Sequence, residues 1–272
     1  MLRLVVLLFL NLKISFERGP NKFLELNIIC ENKTNFCFIP VFFGSYSQPF
    51  LLQLDTTTGE TWIPSIKFDL EVPKYNILKS KGGLMTNRSV EIEDDEGIIY
   101  GKLSYDSIKI DNIIINNYQF VLANEHDINF KDYPNGKLGL GIDKENKISF
   151  LSQLKQNNLI DNEIFIIDKI SKKLILGKKP QYLEDVPNES FPLYDVSKLD
   201  EKYRQSWACE LEKIFFGIYI SDEMALSFDS NGNLEPQSFK SIDFERSKEI
   251  YGPAILDSGY PYLEIPKKYL NY

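Results

Sequence analysis

Apolar and polar residues alternate with a period of two along much of the chain, the pattern of strands with one buried face. The stretch "FCFIPVFFGSYSQPFLLQLD" reads as two such runs joined by a Gly/Ser/Gln/Pro turn, and the second run ends on Asp55. Further on, "SIKIDNIIINNYQFVLAN" alternates around an Asp-Asn and an Asn-Asn break. This predicts a hairpin in which Ile108, Ile110, Tyr118, Phe120 and Leu122 share a buried face. A different spacing governs "SFLSQLKQNNL" at 149–159, where Leu151, Leu154 and Leu159 recur near the helical period behind Ser149, a residue able to cap. One short helix in a β context is expected there. From "KKLILGKKPQYLED" onward strands resume, and Pro- and Asp-rich joints near residues 180–200 predict a boundary between two halves.

Composition narrows the class. A chain of 272 residues, 43% hydrophobic and with 19 Phe and 15 Tyr, is long enough to bury a sizeable core and is expected to be mainly β. The net charge of -8 argues against nucleic acid and anionic membrane surfaces as partners, because both are met by basic patches. At the start, Arg3 and the apolar run Leu4 to Leu12 match the short hydrophobic core of a secretory signal over residues 1–16, too short for a stable membrane span. Three glycosylation sequons, at Asn32, Asn87 and Asn188, fit the same route. Cys30 and Cys37 bracket "ENKTNF". Either they close a hairpin as a disulfide in an oxidising compartment, with Cys209 left unpaired, or all three cysteines are buried thiols.

The residues available limit the chemistry. His126 is the only histidine, which excludes multi-His zinc sites and leaves a Ser-His or Cys-His nucleophile that one ring; the plainer reading is a solvated loop residue. No phosphate-binding glycine motif occurs, since "GKLGLG" lacks the spacing and the basic residue, so no nucleotide cofactor and no metal are expected. Two carboxylates stand out instead. Asp55 follows "LLQL" and Asp257 follows "PAIL", each at the end of an apolar strand and each followed by a hydroxyl residue. Two carboxylates brought face to face share a proton, so that one acts as base toward a water while the other acts as acid toward a carbonyl oxygen.

In these residues the chain resembles the pepsin-like aspartic proteases. "FFGSYSQPFLLQLDTTTGETWIPS" is similar to that family's G-T-P-x-Q-x-F run into D-T-G-S-S-x-x-W-V-P-S, "GIIYGKLSYDSIKI" to the stretch after its flap, and "NGKLGLG" to its D-G-I-L-G-L-G. "SFLSQLKQNNLIDNEIFIID", "KKLILG", "SWACELEKIFFG" and "AILDSGYPYLEIP" follow in family order. The resemblance implies a pepsin-like bilobal fold, with an N-terminal lobe over 17–185, a partial C-terminal lobe over 186–272 and a peptide or protein substrate in the cleft between them. It puts Asp55 and Asp257 in the catalytic roles. Thr56 and Ser258 would be the hydroxyls buttressing the pair, Thr58 would bond the outer oxygen of Asp55, and Gly259 would keep the glycine of the second turn. Endopeptidase action follows, in an extracellular or lysosomal/vacuolar setting.

Several positions depart from the family pattern. Thr57 stands where the first turn has glycine, and a β-branched residue at a position of positive φ or close approach would cost about 1–3 kcal/mol. The flap tip, which carries Tyr-Gly in the family, falls on Asp94 and Asp95, read as a solvated hairpin tip. Lys137 replaces an apolar residue that threads behind the active turn, and Tyr260 and Pro261 follow the second Asp-Ser-Gly. The second lobe is expected to be incomplete after "PKKYLNY". Against the endopeptidase stands the alternative of a catalytically inactive pepsin-fold module that binds peptides or proteins.

Overall fold

A computed structural model describes residues 22–31, 36–94, 97–128, 135–143, 149–178, 195–211, 226–228, 234–236, 252–256 and 258. The chain divides into two compact units. One takes residues 1–209 and 255–262, the other 210–254 and 263–272. Among the described residues strand predominates, 53%, with one α-helix, as in the pepsin-like fold. Of the expected features, Asn32, Asn188, Asp257, Gly259, Tyr260, Pro261, the terminal "PKKYLNY", the apolar leader and the joints near 180–194 lie outside the described residues.

The first unit is built on an eight-stranded sheet. Its strands are β2 (Ile29–Cys30), β3 (Cys37–Phe43), β4 (Gln48–Asp55), β5 (Trp62–Pro64), β6 (Leu84–Asp94), β7 (Gly97–Ile110), β8 (Ile113–Ile128) and β9 (Lys137–Gly139), in the order β2-β3-β4-β9-β5-β8-β7-β6. β3 also pairs with β7, Phe42 opposite Lys109, so the sheet curls back on itself. Alternation dictates which side faces in. Cys37, Ile39, Val41 and Phe43 are buried in β3 while the residues between them are only partly so. The five residues expected on one face of the β7–β8 hairpin are all buried, and the Asp-Asn turn uses Asp111 at φ 51°.

A smaller antiparallel sheet, β1 (Leu24–Asn27), β11 (Lys173–Leu176) and β10 (Phe165–Asp168), lies in the same unit. The predicted helix is α1, Phe150–Gln156. Ser149 caps it, its side chain accepting from the Ser152 amide. Leu151 and Leu154 of α1 join the main core with Phe43, Leu52, Leu54, Tyr118 and Phe120. Cys30 and Cys37 face each other across β2 and β3 and are joined by a disulfide. β12 (Trp207–Leu211) and β15 (Gly252–Leu256) come later in the chain. In the second unit β13 (Leu226–Phe228) and β14 (Leu234–Pro236) form an antiparallel hairpin.

Two details correct the sequence reading. His126 is a strand residue, not a loop one: it lies in β8 opposite Ile99, its ring against Phe68 and its Nε2 2.8 Å from Asp69 Oδ1. The alternation of β8 runs on past Asn124 and carries it there. A buried carboxylate that the sequence did not single out, Asp106, accepts from Tyr75 Oη at 2.6 Å, Ser80 Oγ at 3.0 Å and the Ser107 amide at 2.8 Å. Burial and the bond to Asp106 push the Tyr75 phenol pKa up.

Candidate active site

β4 delivers Asp55. The strand is held by β3 on one side and, in parallel, by β9 on the other, with Gln53 opposite Lys137, Leu54 opposite Leu138 and Asp55 opposite Gly139. The chain then turns through Thr56–Gly59 before β5. Residues after β9 lock this turn in place. The Leu140 amide donates to the Asp55 carbonyl at 2.7 Å and the Gly141 amide to the Thr58 carbonyl at 2.8 Å. The glycines of "GKLGLG" are required by close packing: a Cβ on Gly139 would lie 2.4 Å from the Gly59 carbonyl oxygen, and one on Gly141 2.6 Å from that of Gln205. From the other side Ser206 Oγ donates to the Thr57 carbonyl at 3.2 Å and Trp207 Nε1 to the Leu140 carbonyl at 2.8 Å.

The Asp55 carboxylate is fully buried and faces five donors. Oδ1 accepts from the Thr57 amide at 2.7 Å, Thr57 Oγ1 at 2.6 Å and, more weakly, the Thr58 amide at 3.4 Å. Oδ2 accepts from Thr58 Oγ1 at 3.3 Å and lies 3.3 Å from Lys137 Nζ. Asp55 is 0% exposed and Lys137 3%, so the ion pair is shielded from water. Burial pushes the Asp55 carboxyl pKa up. The Lys137 ammonium, then the Thr57 hydroxyl and amide, more than offset this and hold it below the ordinary aspartate value.

A second set of bonds ties this turn to the segment around Leu256. Thr56 Oγ1 donates to the Leu256 carbonyl at 2.6 Å and accepts from the Ser258 amide at 2.9 Å, while Ser258 Oγ donates to the Leu54 carbonyl at 2.8 Å. Each of the two hydroxyl residues that follow the aspartates in sequence thus bonds the backbone of the other segment, more than two hundred positions away.

Thr57 departs from expectation. Among the described non-glycine residues positive φ occurs at Ser47, Asp111, Asn117, Asn158 and Lys172, not at Thr57. The turn asks no left-handed residue at that position, so the expected strain does not arise. Thr57 instead adds its hydroxyl to the carboxylate cradle. Lys137 was visible in the sequence as an ion in an apolar slot; its partner was not, because only the parallel pairing of β4 with β9 brings residues 55 and 137 together. The flap-like hairpin β6–β7 pairs out to Asp94 opposite Gly97, and Asp95 lies outside the described residues. Asn87 is exposed on β6, at the register shift between Met85 and Ser89.

A strand-borne aspartate in a cradle of threonine donors, tied by crossed hydroxyls to a second strand end, defines a class of protein. The family model for the eukaryotic aspartyl proteases matches residues 37–178, just over half the chain, and the chain belongs to that family. It is similar to procardosin-B of Cynara cardunculus, 28% identical over 105 residues; the match covers 36% of this chain and 21% of that protein. The family's pepsin-like members act on peptides and are typically secreted or lysosomal/vacuolar. Among the described residues no helix is long and apolar enough to cross a membrane.

Proposed function

We propose that the protein is an aspartic-type endopeptidase that hydrolyses extended peptides with Asp55 and Asp257 as its catalytic pair. The observation that carries this reading is the crossed bonding of Thr56 and Ser258, the residues next to the two aspartates, in which each hydroxyl bonds the backbone of the other segment. In the proposed reaction the two carboxylates hold one proton between them. Water adds its oxygen to the scissile carbonyl carbon as its proton passes to the ionised carboxylate, and the protonated one gives its proton to the carbonyl oxygen. The resulting diol returns a proton to the carboxylate that gave one up, while the carboxylate that took the water's proton passes it to the amide nitrogen and the C–N bond breaks. No covalent intermediate and no cofactor are needed. Thr58 steadies the outer oxygen of Asp55, and Thr56, Ser258 and Gly259 maintain the two turns.

Specific observations favour the second reading, a non-hydrolysing pepsin-fold module that binds a peptide or protein. Thr57 Oγ1 and Lys137 Nζ add two donors to Asp55 and leave its carboxylate little capacity for a water. One experiment separates the two. Digestion of a denatured protein substrate at acid pH, abolished by Asp55→Asn and blocked by a statyl-type transition-state mimic, is expected of the peptidase. A folded protein that binds the mimic and cleaves nothing is the binding module.

The proposed route is secretory, with residues 1–16 as a signal and delivery outside the cell or to a lysosomal/vacuolar compartment. The disulfide across β2 and β3 suits an oxidising compartment, and Asn87 is an exposed acceptor for a glycan. Loss of mass on glycosidase treatment of the secreted chain, absent in Asn87→Gln with Asn32 and Asn188 also changed to Gln, tests that route.

A further inference from the structure

The ion pair at Asp55 points to a restraint built into the site. We infer that Lys137 is a positioning residue that holds Asp55 as a committed anion and confines peptide hydrolysis to strongly acid pH; the inference rests on the endopeptidase reading. Three donors already converge on Oδ1, so Oδ2 is the oxygen on which a water would have to rest. Lys137 Nζ stands 3.3 Å from that oxygen. An ionised carboxylate offers about four acceptor positions, and five donors face this one. A water competing for Oδ2 must displace a buried cation, and a proton shared with a second carboxylate is disfavoured by the same positive charge.

Lys137 is fixed at its backbone beside the carboxylate. Its backbone is pinned between β4 and β5, opposite Gln53 and Trp62. The ion pair is lost when the carboxylate is protonated, and that happens only as the pH falls through a value that the Lys137 charge has depressed. Other buried titratable groups on the neighbouring segments are Glu60, which follows the Thr56–Gly59 turn, and Tyr118, whose hydroxyl is 2.6 Å from Thr61 Oγ1. Tyr118 has its phenol pKa raised by burial and stays neutral throughout the acid range. Asp257, outside the described residues, is the remaining acid of the proposed pair.

The test is the pH profile of peptide cleavage by the wild-type chain, Lys137→Met, Lys137→Gln and Lys137→Arg. Loss of a cation this close to a carboxylate is expected to move the upper limb of the profile up by about 1–3 pH units in the two neutral variants. Lys137→Arg, which keeps the charge, is expected to stay at the wild-type position. Lys137→Gln retains a neutral donor and serves if the methionine variant fails to fold. Coincident limbs in the neutral variants and the wild type overturn the inference and leave the endopeptidase reading standing. No cleavage by any of the folded proteins overturns that reading instead. The 13C titration of the Asp55 carboxyl, which needs no activity, then decides on Lys137: an upward move in the neutral variants supports its role, and an unchanged titration overturns it.

Discussion

Thr56→Val removes one hydroxyl and keeps the shape of the side chain. In the structure that hydroxyl donates to the Leu256 carbonyl at 2.6 Å and accepts from the Ser258 amide at 2.9 Å. The substitution therefore strands an acceptor and a donor together. An unsatisfied buried polar group costs about 1–3 kcal/mol, and the site is only part-buried, so each group belongs at the low end. The expected loss is about 2 kcal/mol, or a fall of about 4–8 °C in Tm for a chain of this size. Thermal and urea denaturation of the purified chain read it directly. Ser258→Ala alone, which removes the bond to the Leu54 carbonyl, is expected to cost about 1 kcal/mol. Because the two residues belong to one hydrogen-bond network, joined by the bond from the Ser258 amide to Thr56 Oγ1, the double variant is expected to be non-additive by at least about 0.5 kcal/mol. A Thr56→Val protein within about 0.5 kcal/mol of wild type, or strict additivity, would refute the reasoning that these hydroxyls couple the two turns.

Other consequences follow from the same contacts. Asp55→Asn leaves Lys137 buried without its anion and is expected to cost about 3–5 kcal/mol at neutral pH. Since the folded-state pKa of Asp55 is depressed, its contribution is complete above the unfolded aspartate pKa and is lost as pH falls through the folded value; the stability gap between wild type and Asp55→Asn should narrow steadily below about pH 4 in urea titrations. Gly139→Ala places a Cβ 2.4 Å from the Gly59 carbonyl oxygen and is expected to lower stability by about 1–3 kcal/mol or more, measured by urea midpoint. Tyr75→Phe strips one donor from the buried Asp106 carboxylate and should cost about 1–3 kcal/mol by the same assay. Reduction of Cys30–Cys37, which closes a short loop, should lower stability by about 2–3 kcal/mol, read as a dithiothreitol-dependent shift in Tm.

The elements legible in the sequence are those with a short period and local punctuation. The β3–β4 hairpin, the shared face of Ile108, Ile110, Tyr118, Phe120 and Leu122, and α1 behind Ser149 each follow from side-chain periodicity and one turn or cap residue. Asp55 was legible as a strand-end carboxylate because an apolar run leads into it. What lay beyond reach depends on partners far apart in the chain. Lys137 reaches Asp55 because β9 inserts in parallel beside β4, a pairing that no local pattern encodes. The strain assigned to Thr57 supposed positive φ or a close backbone approach at that position; φ there is not positive, and the close approaches fall on Gly139 and Gly141 of the neighbouring segment. His126 was misread as a loop residue because Asn, Glu, His and Asp in succession read as polar, although they continue a strand.

Cleavage of a denatured protein at acid pH by Lys137→Met, set beside the Asp55→Asn/Lys137→Met double variant, tests the central claim most directly, because the restraint on Asp55 is absent from both. The account predicts cleavage by the first and none by the second. Cleavage that survives the loss of Asp55, or none by a Lys137→Met protein that is folded and binds the statyl-type mimic, would contradict it.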